Sequence, residues 1–284
     1  MTTAAAVRRA AVTRRRASPQ RLLAYGCAVL ITLFMLAPVY LVTLAAFSSR
    51  SAIFDYPRPL LPASLSLDSV TFFVTFQGVL PSLGRSLLVG GLTVVLSLAL
   101  GCPAGYAIAR YQFRGRGLVQ VLIVNVRAVP VVIISIALLV NFIEIGLYDT
   151  VISVALVHTA MTLPFTVLLS ASVFLRVPAE LEEAAMVMGI TRLGAVLRVV
   201  LPNSVPGLAA AALFAFVTSW NEVFVAAILT QHNTTLPAQV VSQLAASPLP
   251  FRFAGGFALM VPAFAFIFFM RPYLFTAFRG VGAH

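Results

Sequence analysis

Apolar residues run almost unbroken through six stretches, 22–47, 83–109, 118–142, 150–175, 205–230 and 253–275, while arginines and carboxylates collect mainly between them. Each stretch exceeds the roughly 20 residues that a helix rising about 1.5 Å per residue needs to cross a hydrocarbon core about 30 Å thick. The pattern predicts an all-α polytopic membrane protein with six transmembrane helices. Pro103, Pro130, Pro164 and Pro262 fall inside the stretches. They mark kinks or unwound turns, which are tolerated where the backbone faces protein or a cavity.

Two connections are long enough to have structure of their own. An outer segment, 48–82, carries Pro57, Pro59 and Pro62 and the aromatic patch Phe72, Phe73 and Phe76; an inner segment, 176–204, joins the fourth and fifth stretches. The chain therefore divides into an Arg/Ala-rich amino-terminal segment (1–21), a six-span domain (22–278) and a short tail (279–284).

Composition agrees with a membrane setting: 61% of the 284 residues are apolar and 10% charged, against about 45–50% and about 25% in an average globular protein. Every basic residue is arginine. Without a lysine the chain has no P-loop and no Schiff-base nucleophile. A net charge of +11 would suit nucleic acid, but the arginines flank apolar runs, so orientation in a membrane explains them instead. Cys27 and Cys102 lie in apolar runs and read as small buried apolar residues. His158, His232 and His284 are too scattered for a metal site, and His158 reads as a packed polar residue.

Arginines 8, 9, 14, 15, 16 and 21 precede the first stretch, which has no cleavage site before Ser48 and reads as a retained anchor. With a cytoplasmic amino terminus, 14 arginines fall on the inside and four outside, leaving Arg127 within a span. That asymmetry places both termini in the cytoplasm.

Residues 176–202 read as two short helices joined by a turn. Pro178 suits a first turn, and Glu180, Glu182 and Glu183 complement the helix dipole. Gly189 can end that helix with a positive φ, Thr191 can cap the next, and Leu193, Val196, Leu197 and Val200 keep helical spacing until Pro202 stops it. A surface offering Ala184 and Ala185 beside Glu183 could approach a partner closely and present one carboxylate to it. The same residues could also form a solvated acidic helix lying on the bilayer.

The spacing Glu183-Ala184-Ala185, Gly189, Val199 and Leu201-Pro202 resembles the EAA loop of permease subunits of binding-protein-dependent ABC importers, with valine for the usual isoleucine. Further segments resemble the shorter six-span (MalG-like) partner of the maltose-type carbohydrate permeases. They are Gly146-Leu147-Tyr148-Asp149-Thr150, Leu163-Pro164-Phe165, Trp220-Asn221-Glu222, Thr235-Leu236-Pro237 and Arg127-Ala128-Val129-Pro130. Arg85-Ser86 departs from the usual Asn-Ser, and the tail lacks the usual Lys-Gly pair. The resemblance implies a type I ABC importer permease fold in a bacterial inner membrane, with a cytoplasmic coupling helix in 176–202. It also implies a second, MalF-like permease, an ATPase dimer, an extracytoplasmic solute-binding protein and a sugar-type solute. ATP and magnesium would belong to the partner ATPases, so this chain would be no enzyme and would hold no cofactor. In the coupling loop it singles out Glu183, Ala184, Ala185, Gly189, Leu201 and Pro202.

An arginine at a bilayer centre costs about 2.5–3.5 kcal/mol on insertion scales, so Arg127 is expected to face protein or water. It could meet solute, or form a structural ion pair, for example with Glu222. Asn125 and Asn141 share its span. Trp220, Asn221 and Glu222, near the middle of the fifth span, could stack on a sugar ring and bond its hydroxyls, or could lock that span to a neighbour. An anionic glycerophosphodiester is an alternative cargo suited to Arg127. An ion-coupled transporter or membrane enzyme working alone is the rival reading, with Glu222 the one carboxylate well inside a span.

Overall fold

The computed structural model describes residues 19–49, 51–54, 56, 60–61, 64–243 and 246–279. The Arg-rich segment before residue 19, Arg50, Arg58, Pro57, Pro59, Pro62 and the tail from Gly280 to His284 lie outside the described residues. Among those described, regular structure is helical apart from an isolated antiparallel bridge between Ser48 and Leu65.

Four spans follow the expected order. Helix α1 (Pro19–Ala46) is the first, and α3 (Val79–Arg110), α6 (Val151–Arg176) and α12 (Leu249–Arg279) are the second, fourth and sixth. Helix α1 is exposed through Leu36 and packs along α12, so Cys27, expected to be buried, is exposed. Its outward apolar face is what lipid or a second membrane protein would cover. The outer segment forms the short helix α2 (Asp68–Thr75), whose buried Phe73 packs on Phe251 at 5.0 Å between ring centroids.

The other two apolar stretches are broken. The third is α4 (Arg116–Val126) and α5 (Val131–Glu144), bent by 87° across Arg127–Pro130. A proline lacks the N–H that would continue the helix, and it pushes the residue before it out of the α region. Pro103, Pro164 and Pro262, by contrast, stay inside continuous helices. The fifth stretch joins the loop without a stop: α8 (Arg192–Ala195), a π-helical turn (Val196–Val200) and α9 (Leu201–Asn221) form one run. The expected end at Pro202 therefore does not occur. The chain widens just before it, where the Leu201 N–H donates five residues back to Val196, and Pro202 sits in the first turn of α9. That run ends at Asn221, and a separate helix α10 (Phe224–Leu229) follows. Helix α11 (Leu236–Gln243) then leads to α12.

The most extensive helix pair is α3 with α6. A Gly-x-x-x-Gly step, Gly101 to Gly105, makes it close: a Cβ at Gly105 would stand 2.8 Å from the backbone Val167 O and Ala171 N of α6. Small residues matter here because lipid supplies no hydrophobic drive between helices, leaving contact and hydrogen bonds to hold them. Ser97 and Thr162 bond across the pair at 2.7 Å. Helix α9 leans on this unit and stacks Phe216 against Phe266 of α12 at 4.1 Å.

Candidate functional site

Helix α7 (Ala179–Val187) and α8 form the expected two-helix loop at the Arg110 end of α3. Gly189 takes φ +86° with nothing within 4 Å of where a Cβ would lie, and Thr191 caps α8 by accepting from the Gly194 N–H at 3.2 Å. Glu183 and Ala184 face outward, as does Val187, which is 89% exposed. Ala185, expected at the surface beside Ala184, is instead buried at 1% exposure. One turn of helix separates it from Glu182, which is also buried, so these two define the inward face. Leu201 packs with Phe174, Val177 and Leu208, and Pro202 is exposed.

Glu182 is the residue that sequence reasoning missed. Its carboxylate pairs with the Arg110 guanidinium at 3.2 Å and accepts from the Tyr106 hydroxyl. Arg192, more exposed, stands 3.9 Å away and lies over Tyr111. Arg110 also donates to the Val177 carbonyl at 2.8 Å. The available signal was the three-residue step from Glu182 to Ala185, which separates the inward carboxylate from the outward Glu183.

The break between α4 and α5 opens a cavity of about 300 Å³. Arg127 and Pro130 line one side, Met161 and Pro164 of α6 another, and Phe214 and Thr218 of α9 a third. Arg127 is exposed, its guanidinium carbon 6.0 Å from the Phe165 ring centre, and no carboxylate among the described residues lies within ion-pair distance of it. Asn125 and Asn141 are exposed on α4 and α5, each donating to the carbonyl four residues back, Val121 and Ala137. Neither lines this cavity.

Trp220, Asn221 and Glu222 sit at the end of α9, not midway along a span. Trp220 is buried, stacked near Phe216, and donates its indole N–H to the Leu259 carbonyl of α12 at 2.9 Å. Asn221 is exposed and donates to the Val217 carbonyl. Glu222 starts α10, accepting from the Phe224 and Val225 N–H groups at 3.0 and 2.7 Å. Its second neighbour is His158, whose Nε2 stands 3.4 Å away, and the anticipated pair of Glu222 with Arg127 does not form. His158 is packed as expected, its Nδ1 2.8 Å from the Ser219 hydroxyl.

At the end opposite α7, Asp149 holds a second loop. Its backbone is left-handed at φ +58°, and one carboxylate oxygen accepts from the N–H groups of Gln231, His232 and Asn233 at 2.8–3.0 Å. Partial burial works to raise this carboxyl, but the three N–H donors outweigh it and hold it below its ordinary value. Thr150 beside it caps α6. The Gly-Leu-Tyr-Asp-Thr segment thus holds the residues just before Thr-Leu-Pro, whose Leu236 N–H donates to Ser86 of α3 at 2.7 Å.

The sequence pattern of the family described as binding-protein-dependent transport system inner membrane component matches residues 97–278. The arabinooligosaccharides transport system permease protein AraQ of Halalkalibacterium halodurans is 30% identical over 219 residues, covering 75% of this chain and 78% of that one. The trehalose transport system permease protein SugB of Mycobacterium tuberculosis is 29% identical over 251 residues, covering 84% and 90% respectively. A chain of a bacterial ABC transporter involved in the import of the acidic polysaccharide alginate superposes with a TM-score of 0.70 at 22% identity, covering 91% of this chain and 99% of that one. At that identity the likeness speaks for the fold. The helical order, the loop built on α7 and a family match spanning both it and the broken third span lead to one assignment: the chain belongs to the binding-protein-dependent transport system inner membrane components, the permeases of ABC importers.

Proposed function

We propose that the chain is one of two permease halves of an ATP-driven carbohydrate importer in a bacterial inner membrane. The observation that carries the reading is the outward face of α7, with Glu183, Ala184 and Val187 uncovered, inside a sequence that matches the permease family. The arginine asymmetry supports cytoplasmic termini and a cytoplasmic α7. There α7 docks on a separate ATPase, which supplies the Walker lysine this chain lacks. The relatives named for arabinooligosaccharide and trehalose transport support a sugar cargo.

Solute passes between this chain and a second permease, received from an extracytoplasmic binding protein. The broken third span gives the path a wall of mixed character: apolar area from Met161, Pro164 and Phe214, and a directed charge from Arg127. ATP-bound and nucleotide-free ATPase dimers bias outward- and inward-facing arrangements through their different contacts with α7. An acidic glycoside or glycerophosphodiester is the second reading, favoured by the absence of a carboxylate beside Arg127 among the described residues.

The test is uptake by a strain lacking this gene, using labelled trehalose, arabino-oligosaccharides and a glycerophosphodiester. Restoration of sugar uptake by the wild-type chain, and its loss with inserted Glu183→Arg, supports the proposal. Uptake that Glu183→Arg leaves unchanged contradicts it. Arg127→Ala should reduce uptake of an acidic cargo more than a neutral one.

A further inference from the structure

We propose that Glu182 and Arg110 are positioning residues, a buried strut that makes α7 move as one body with the α3–α6 pair. The inference rests on the docking role proposed above for α7 and adds how motion leaves that helix.

The outward residues of α7 can receive a push, but an exposed side chain cannot hand it on. Transmission requires a contact that fixes orientation. Helix α7 packs on α8 and the π-helical turn, and it turns Glu182 and Ala185 inward, where the alanine supplies area without direction. Glu182 supplies direction. Its carboxylate meets the Arg110 guanidinium at 3.2 Å and the Tyr106 hydroxyl, both on the last turns of α3. The same guanidinium donates to Val177, the residue that closes α6. One planar cation thus ties three elements: it makes a single ion-pair contact with Glu182, without a bidentate fork, and the direction comes from two hydrogen bonds, Tyr106 hydroxyl to Glu182 and Arg110 to the Val177 carbonyl.

Burial sharpens the point. The side chains of Arg110 and Glu182 are 13% and 6% exposed. Buried pairs often add little net stability over well-packed apolar residues, and their best-attested use is to fix one arrangement among several. Beyond the strut the path is stiff. Gly105 brings α3 onto the backbone of α6 with no room for a methyl group, so the two helices cannot slide independently. Further along, Met161 and Pro164 of α6 form a wall of the Arg127 cavity. A rotation of α7 therefore reaches the proposed solute path through two helices and one ion pair.

The experiment uses the complete importer in proteoliposomes, with Cys27→Ser and Cys102→Ala and a single reporter, Ile134→Cys, on the cavity wall. A membrane-impermeant maleimide measures cavity access with and without ATP plus vanadate, beside ATP hydrolysis and subunit co-purification. The parent should change its labelling rate by about tenfold or more on trapping, a typical coupling. Glu182→Gln should reduce that response to within about twofold while the ATPase stays bound and active. Arg110→Met with Glu182→Leu keeps the site filled by apolar groups, so it should melt like the parent and still lose the response. A parental response in that stable double variant overturns the strut and leaves the docking role standing. A parent with ATPase bound but no nucleotide-dependent labelling overturns the docking role itself.

Discussion

Replacing Gly105 with alanine tests the close α3–α6 packing on which the bundle is built. The new Cβ would lie 2.8 Å from a backbone oxygen, a backbone nitrogen and the Ser170 Cβ, where ordinary contact begins at 3.4 Å. Backbone atoms cannot rotate away, so the helices must part by about 0.6 Å, enough to forfeit roughly a quarter of the attraction at each contact they share. Overpacking of this kind costs about 1–3 kcal/mol. Alanine also favours the helix over glycine by about 0.5–1 kcal/mol, which a control must remove. Gly91 provides it: on the same helix, with nothing within 4 Å of its added Cβ. Gly91→Ala carries the propensity gain without the clash, so Gly105→Ala should be less stable than Gly91→Ala by about 1–3 kcal/mol. Reversible unfolding in mixed micelles, followed by the fluorescence of the sole tryptophan, Trp220, measures the difference. Equal stability, or a more stable Gly105→Ala, would refute the packing argument.

Substitutions at three further residues probe the joints. Asp149→Asn should destabilise the loop at residues 231–233 near neutral pH; because the folded carboxyl is held below its ordinary value of 3.8, the stabilisation is present above that value and fades as pH falls through the folded one. The stability gap between Asp149→Asn and wild type, titrated downward from pH 7, should therefore narrow only as pH falls below 3.8, and a gap constant across the range would contradict it. Glu222→Gln keeps one acceptor for the two N–H groups of α10 and puts an amide NH2 where the second carboxylate oxygen accepted, for an expected loss of about 1–3 kcal/mol in the same micelle assay. Gly189→Ala meets open space but forces a left-handed residue, so it should cost about 1–2 kcal/mol, with Gly189→Asn costing less. An alanine there as stable as glycine would show that the turn does not need its observed φ.

Much of the fold was legible because a bilayer admits few alternatives: a long apolar run must satisfy its own backbone, and helices do so. The loop turn was legible for an equally local reason, since Gly189 and Thr191 act on their own neighbours. Pro130 was recognisable as an interruption, but sequence could not distinguish it from Pro103, Pro164 or Pro262, because whether a proline bends a helix depends on what packs against it. The continuation past Pro202 escaped for the converse reason, since the π turn that accommodates it is set by packing of Val200 and Leu201 against α3 and α6 residues. Glu182 was hidden behind Glu183. Both fit an acidic first turn, and only the position of Arg110, more than 70 residues away in sequence, decides which carboxylate turns inward. Glu222 was legible as a buried polar residue, while its neighbour was not: the charge-based guess was Arg127, and the fold brings His158 beside it.

The central claim is that α7 seats on a separate ATPase, and site-specific photocrosslinking in intact membranes addresses it directly. A photoreactive residue at Val187, 89% exposed on α7, should crosslink to an ATPase subunit, whereas one at Leu65, on the segment before α2 at the other end of the molecule, should not. Adducts from position 187 with lipid alone, in every nucleotide state, would contradict the account.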